Sequence, residues 1–223
     1  RGQGSYGRHI IQGLFVTSTG TGIGKTHVAA GMVRAMKAQG KPVRAVKPVI
    51  SGWDDDPAAV AASDTGILLA AQGLDLSPEN IEACSPYRFK APLSPDMAAA
   101  REGTAIDFKR VVGFCRHAAE GMGDNGTLLI EGVGGVMVPL TDDKTVLDWM
   151  AALSLPVVLV TGSYLGTISH TLTAALALRE KHISIRSIVI SESEESPVPC
   201  EETAEALIRH LGPTPIRIAA RER

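Results

Sequence analysis

The chain has 223 residues, of which 44% are hydrophobic and 21% charged, enough for a sizeable core without disulfide or metal staples and too apolar for a disordered chain. Lys plus Arg number 22 against 24 Asp plus Glu, a formal charge of −2, without the basic surplus of a nucleic-acid-binding surface. No apolar run approaches the roughly 20 residues of a membrane helix, and the three cysteines, Cys84, Cys115 and Cys200, form no CxxC or Cys/His cluster and read as reduced thiols in a cytoplasmic protein.

Residues 1–9 are Gly-rich and polar, begin with Arg rather than Met, and lack the apolar segment of a secretory signal. They are set aside as a disordered or non-native tail. From there, short apolar runs alternate with longer helix-period segments. Residues 10–16 predict a strand. Residues 25–39 predict a helix with Val28, Ala29, Met32, Val33 and Met36 on one stripe, closed by Gly40. Strands are expected over 43–47, 127–130, 156–161 and 184–190, with a final one over 215–218. Helices are expected over 167–182 and 201–210, the latter with acids in its first turn and bases in its last, as the helix dipole favours. Between Gly52 and Gly126 the pattern predicts short helices, capped at Ser63, Ser94 and Asp107, and no strong strand. This β-α-β alternation predicts a mostly parallel sheet covered on both faces.

The segment Thr17-Ser18-Thr19-Gly20-Thr21-Gly22-Ile23-Gly24-Lys25-Thr26 follows the first strand and opens the first helix. That is the context of a phosphate-binding P-loop, in which backbone N–H groups face the phosphates. Lys25 would reach the β- and γ-phosphates and the Thr26 hydroxyl would ligate Mg²⁺. The strict pattern places Gly where this chain has Thr19, so the match is a variant. The alternative is a Gly-rich turn that binds nothing.

Three further segments stand out. Lys47-Pro48-Val49-Ile50-Ser51-Gly52 lies at the carboxyl end of the second strand, where ligands of open α/β sheets sit. Lys47 is therefore either a site residue or an exposed side chain in a Pro-punctuated turn. Glu131-Gly132-Val133-Gly134-Gly135 ends an apolar strand in a carboxylate, as P-loop NTPases do to hold Mg²⁺. Ser63-Asp64 precedes an apolar segment, and Asp64 is either a first-turn helix acid or a second Mg²⁺ carboxylate. His170 opens a helix where it would face a ligand; Trp149 reads as core.

These segments, with Tyr87-Arg88-Phe89, Pro92, Ser94-Pro95, Asp148-Trp149 and Leu165-Gly166-Thr167-Ile168-Ser169-His170, run in the order seen in the dethiobiotin synthetase family. The chain resembles that family from about residue 10 to residue 190. The resemblance implies an α/β fold: one P-loop NTPase-like domain over 10–223, a three-layer sandwich with a mostly parallel central sheet. It implies ATP-dependent carboxylation and ring closure of 7,8-diaminononanoate with CO2, in a cytoplasmic homodimer that binds neither nucleic acid nor membrane. By resemblance, Lys47 and Lys25 are catalytic. Ser51, Thr19 and Ser169 bind substrate. Gly22, Ile23, Gly24, Lys25, Thr26, His27, Asp64, Glu131, Gly132, Val133, Gly134 and Ser191 bind nucleotide. Thr26, Asp64 and Glu131 hold Mg²⁺.

The chain also departs from the family. Ser18 stands where the family's loop usually opens with Gly, and Ser191-Glu192 where it usually carries Asn followed by an acid or amide. The family's Gly-Glu-Ile-Pro segment has only an echo in residues 212–218. Two other classes compete with the synthetase: a P-loop ATPase switch and a non-catalytic nucleotide-binding relative. A partitioning-type switch would carry a second Lys early in the loop, where this chain has Ser18, Thr19 and Gly20.

Overall fold

The computed structural model describes residues 12–122 and 125–221. The expected tail, and the expected start of the first strand, lie outside those residues. The chain begins with β1 (Gly13–Ser18), α1 (Lys25–Ala38), β2 (Val43–Val46), β3 (Val49–Ser51) and α2 (Pro57–Ala62). It continues through α3 (Asp64–Gln72), α4 (Pro78–Cys84), β4 (Tyr87–Phe89), α5 (Pro95–Arg101) and α6 (Phe108–Glu120). Then follow β5 (Thr127–Glu131), α7 (Val146–Leu153), β6 (Val157–Thr161), α8 (Thr167–Glu180), β7 (Ile185–Ser191), α9 (Cys200–Leu211) and β8 (Ile216–Ala219).

Six parallel strands form one sheet in the order β2-β5-β1-β6-β7-β8. Because side chains alternate along a strand, neighbouring residues of β1 face opposite layers. Phe15 joins Leu128, Ile130, Leu159 and Ile188 on one face, covered by α6, α7, α8 and α9. Val16 joins Leu129, Val158, Val160 and Val189 on the other, covered by α1 and α3. Burial on both faces explains why these strands read as continuous aliphatic runs. Trp149 is core as expected, with its ring edge-on to Phe15 at 4.9 Å. The three cysteines are buried free thiols. Among the described residues no helix is long and apolar enough to cross a membrane.

The second strand ends sooner than expected. Lys47-Pro48 breaks it, since Pro has no N–H to give a ladder. The chain then leaves the main sheet to form β3, which pairs in parallel with β4, Val49 opposite Tyr87. Residues 52–126, expected to hold no strong strand, thus contain one short strand, β4. A three-residue strand with one partner carries too little alternation to be seen in sequence. Helix α7 also went unpredicted, although Thr145 and Asp148 close a reciprocal capping box at its start. Ser63 and Asp107 cap as expected, accepting from Gly66 N at 3.2 Å and Arg110 N at 3.1 Å. Ser94 holds the N-cap position of α5 without a side-chain bond.

β2 is an edge strand, and its outer rim is occupied. The Gln72 side chain accepts from Ala45 N at 2.9 Å and donates to Ala45 O at 3.0 Å. A single amide so satisfies both backbone groups that a neighbouring strand would take.

Candidate functional site

Parallel strands present their carboxyl ends on one rim, and that rim gathers the residues singled out in sequence. β1 runs into the P-loop and α1, β2 ends at Lys47, and β5 ends at Glu131. Two glycines make the packing possible. Gly24 has φ +97, the left-handed region that side-chain-bearing residues avoid, and a Cβ there would collide with Ser191 Oγ. Gly135 lets the turn after β5 pack on the P-loop: a Cβ would lie 3.3 Å from Gly20 N and Thr19 O.

The Thr26 hydroxyl lies 2.7 Å from Asp64 Oδ1 and 2.8 Å from Glu131 Oε1. Asp64 opens α3 directly after its Ser63 cap, so it is both a first-turn acid and a member of this oxygen cluster. Glu131 Oε2 is buried without a partner among the described residues. Two carboxylates, one hydroxyl and an orphaned carboxylate oxygen are a hard-donor set suited to Mg²⁺, which takes few protein ligands and completes its shell with water and phosphate. The residues fit the ion that the resemblance implies.

Lys47 closes the cluster from the other side. Its ammonium is 2.7 Å from Glu131 Oε1, 2.9 Å from Asp64 Oδ2 and 2.7 Å from Gly132 O. Burial pulls its pKa down, but the charges and hydrogen bonds of Glu131 and Asp64 outweigh burial and hold it above the ordinary lysine value. For Asp64 the same balance runs the other way. Burial raises its pKa, and Lys47, with the Thr26 hydrogen bond, more than offsets that and keeps it below the usual value. Lys25 has no such pairing among the described residues. Burial, then repulsion from Lys47, lowers its pKa to about 8.

A cavity of about 680 Å³ opens over these groups. Gly22, Ile23, Gly24, Lys25, Thr26, Lys47, Ser51, Asp64, Val133 and Gly134 line it, with Thr21, Ile50, Val138 and the segment 92–95. Ser51 Oγ is buried there with no partner among the described residues. A second cavity of about 610 Å³ adjoins the same glycines and is lined by Ser191 through Glu195, Tyr164 and Arg221. In it, Glu192 accepts from Arg221 N at 3.0 Å, and Glu194 lies 3.6 Å from the Arg221 guanidinium.

Other singled-out residues sit elsewhere. Glu131 and Gly132 stand behind the first cavity and reach it through Lys47. Thr19 Oγ1 lies 3.3 Å from Thr161 Oγ1. His27 and Ser169 are exposed, on the first turns of α1 and α8 and outside both cavity linings. His170 Nδ1 meets the Tyr164 hydroxyl at 2.9 Å instead of facing a cavity.

Sequence reasoning missed several lining groups. Thr21 lies in the P-loop and lines the cavity, but nothing in its local pattern marks it. Pro92 and Ser94-Pro95 stood out as family motifs but without a place at the site, which the unpredicted β3–β4 pair gives them. Tyr164 and Arg221 both line the second cavity from positions far apart in sequence, and no local pattern marks them.

A family model described as an AAA domain matches residues 12–220. An ATP-dependent dethiobiotin synthetase from Acidiphilium cryptum is 55% identical over 203 residues, covering 91% of this chain and 89% of that protein. One from Methylobacterium nodulans is 51% identical over 201 residues, with 89% of each covered. One from Anaeromyxobacter dehalogenans is 39% identical over 206 residues, with 91% and 88% covered. Among solved structures, a ParA family ATPase from Chlorobium tepidum superposes with TM-score 0.55 at 17% identity, covering 95% of this chain and 84% of that one. The septum site-determining protein MinD with Mg-ADP from Pyrococcus horikoshii gives 0.54 at 15%, with 95% and 82% covered. At that identity the structural likeness speaks for the fold alone: an α/β P-loop NTPase sandwich.

Proposed function

The chain belongs to the ATP-dependent dethiobiotin synthetase family, and on that premise we propose how its own residues divide the work. The reaction joins CO2 to 7,8-diaminononanoate at the expense of ATP, closing the ring of dethiobiotin and releasing ADP and phosphate. One substrate amine takes up CO2 as a carbamate. A carbamate oxygen attacks the γ-phosphorus, and ADP leaves. The second amine attacks the carbonyl carbon of the mixed anhydride, and phosphate leaves.

Carbamates form readily from amines, so the protein's task is to position the reactants and to neutralise charge. The observation that carries the assignment is the convergence of Lys25, Lys47, Thr26 and Asp64 on one cavity, with Glu131 bonded to Thr26 and Lys47 directly behind them. Lys25 and the backbone N–H groups of residues 22–26 bind the β- and γ-phosphates. Thr26, Asp64 and Glu131 hold Mg²⁺, which when bound supplies positive charge against the phosphate oxygens. Lys47 reaches the carbamate and the transferring phosphoryl group. Ser51, whose buried hydroxyl has no partner among the described residues, bonds to the carbamate or the substrate amine. Thr19 and Ser169 take further substrate contacts. His27, Gly132, Val133 and Gly134 complete the phosphate side and Ser191 the base side. Residues 10–223 work as one unit, in a cytoplasmic homodimer.

Phosphate release tests the whole assignment. It should require MgATP, diaminononanoate and bicarbonate together. Release from MgATP alone at the same rate would make the protein an ATPase switch.

A further inference from the structure

Lys25 and Lys47 are both buried, but they are held by different means. Lys47 is fixed by two carboxylates and a carbonyl. Among the described residues the Lys25 ammonium has two hydrogen-bond partners, Ser18 Oγ at 3.2 Å and Gly20 O at 3.5 Å, and no ion pair. An ammonium carries three N–H donors, so one remains for an anion in the cavity that Lys25 lines.

Ser18 is the last residue of β1 and is fully buried. Its hydroxyl receives Lys25 and the N–H of Gly20, the latter at 3.3 Å. Its own proton goes to Gly20 O or to Gly134 O, the second at 3.2 Å. Its backbone carbonyl accepts from Val136 N at 3.1 Å. One residue therefore ties the first turn of the P-loop to the turn after β5 and meets the lysine between them.

We propose that Ser18 is a positioning residue, whose hydroxyl holds the Lys25 ammonium in place to receive the β- and γ-phosphates. Ser18 does for Lys25 what Glu131 and Asp64 do for Lys47. Without the hydroxyl, a buried ammonium keeps a single long contact to Gly20 O and is free to swing away from the cavity. This assignment rests on the reading of Lys25 as a phosphate ligand.

The test is a double-mutant cycle on binding, read by calorimetry with Mg²⁺ and a non-hydrolysable ATP analogue. Four proteins are compared: wild type, Ser18→Ala, Lys25→Met and the double variant. Ser18→Ala should weaken binding about tenfold, the low end for a hydrogen bond to a charged group. In the Lys25→Met background the same substitution should cost less than twofold, because the group it acts through is gone. Equal losses in both backgrounds would make Ser18 a structural tie and overturn the proposal. So would a loss under twofold when Lys25 is present. Ser18→Gly removes the same hydroxyl with a smaller side chain and must repeat the Ser18→Ala result; wild-type affinity in that variant overturns the proposal too. If Lys25→Met binds like wild type, the phosphate-ligand reading falls along with it. If Lys25→Met binds weakly and Ser18→Ala does not, only the role of Ser18 falls.

Discussion

Lys47 Nζ lies 2.7 Å from Glu131 Oε1, and both side chains are almost wholly buried. The same Glu131 oxygen is 2.8 Å from the Thr26 hydroxyl. An ammonium therefore already borders the oxygens proposed to hold Mg²⁺ and serves as their internal counter-ion.

Lys47→Ala should lower kcat by roughly 10²-fold or more, the scale of other groups that meet charge developing in a transition state. Affinity for an ATP analogue should change only a few-fold. Lys25→Ala should weaken nucleotide binding as well as turnover. Near-normal kcat in Lys47→Ala would remove that residue from the chemistry.

Removing Mg²⁺ with a chelator should abolish turnover, and Mg²⁺ or Mn²⁺ should restore it, since hard oxygen donors favour such ions over zinc. Glu131→Gln keeps the shape but loses the charge. Its Mg²⁺ requirement, titrated at fixed ATP, should rise at least tenfold. Full activity at low Mg²⁺ in that variant would rule Glu131 out as a ligand.

Lys25 has a pKa of about 8 in the fold against an ordinary 10.5. Between those values the unfolded chain holds a proton that the folded protein has released, so the Lys25 contribution to stability rises with pH there. Below about pH 8 both states are charged and the penalty of burying the ammonium is complete, on the order of 3 kcal/mol. Lys25→Met removes that penalty. Urea unfolding of the ligand-free proteins should show the variant ahead of wild type at pH 7, with the lead shrinking toward pH 10. A lead that stays constant would mean that Lys25 titrates normally.

Base selection is expected to be loose. Ser191 is too short to offer the paired donor and acceptor of an amide. Its hydroxyl is also wedged against Gly24. Glu192 accepts from the Arg221 backbone. The phosphates are bound by the P-loop whatever the base. Comparing kcat/KM for ATP, GTP and CTP should give a preference for ATP below roughly 10³-fold. A larger preference would show that the base is read by a full set of hydrogen bonds.

Leu165, just before the N-cap of α8, is 88% exposed, and Ile168, in the first turn of that helix, 36%. The proposed homodimer would cover them. Leu165→Glu should shift sedimentation toward the monomer at micromolar concentration and reduce activity with it. A wild-type protein that is monomeric and fully active there would contradict the dimer.

Much of this site was legible in sequence because its signals are local. A Gly-rich loop between strand and helix has to bind or be idle, and Lys25 and Thr26 follow from spacing. Glu131 was visible as the one acid closing an apolar strand. Asp64 was ambiguous, and the ambiguity had a physical source: helix capping and metal ligation ask for the same residue type. Only the approach of α3 to α1, which puts Asp64 Oδ1 2.7 Å from the Thr26 hydroxyl, adds the oxygen cluster to its place in the first turn of the helix. Ser18 was noted as a departure, but its contact with Lys25 depends on how the loop folds back. The strand β4 was missed because three residues against one partner leave no period, and with it went the place over the cavity of Pro92 and Ser94-Pro95, which were visible only as family motifs.

The amide of Gln72 has a consequence beyond the folded monomer. Parallel sheets of this kind assemble slowly, from strands distant in sequence, and an open rim of N–H and C=O groups invites another chain to add its own strand. With Ala45 N and O both engaged by one side chain, that end of the sheet offers a second molecule no ladder at its centre. Resistance to aggregation along β2 is thus invested in one residue of α3, on the same helix whose first residue, Asp64, bonds to Thr26 and Lys47.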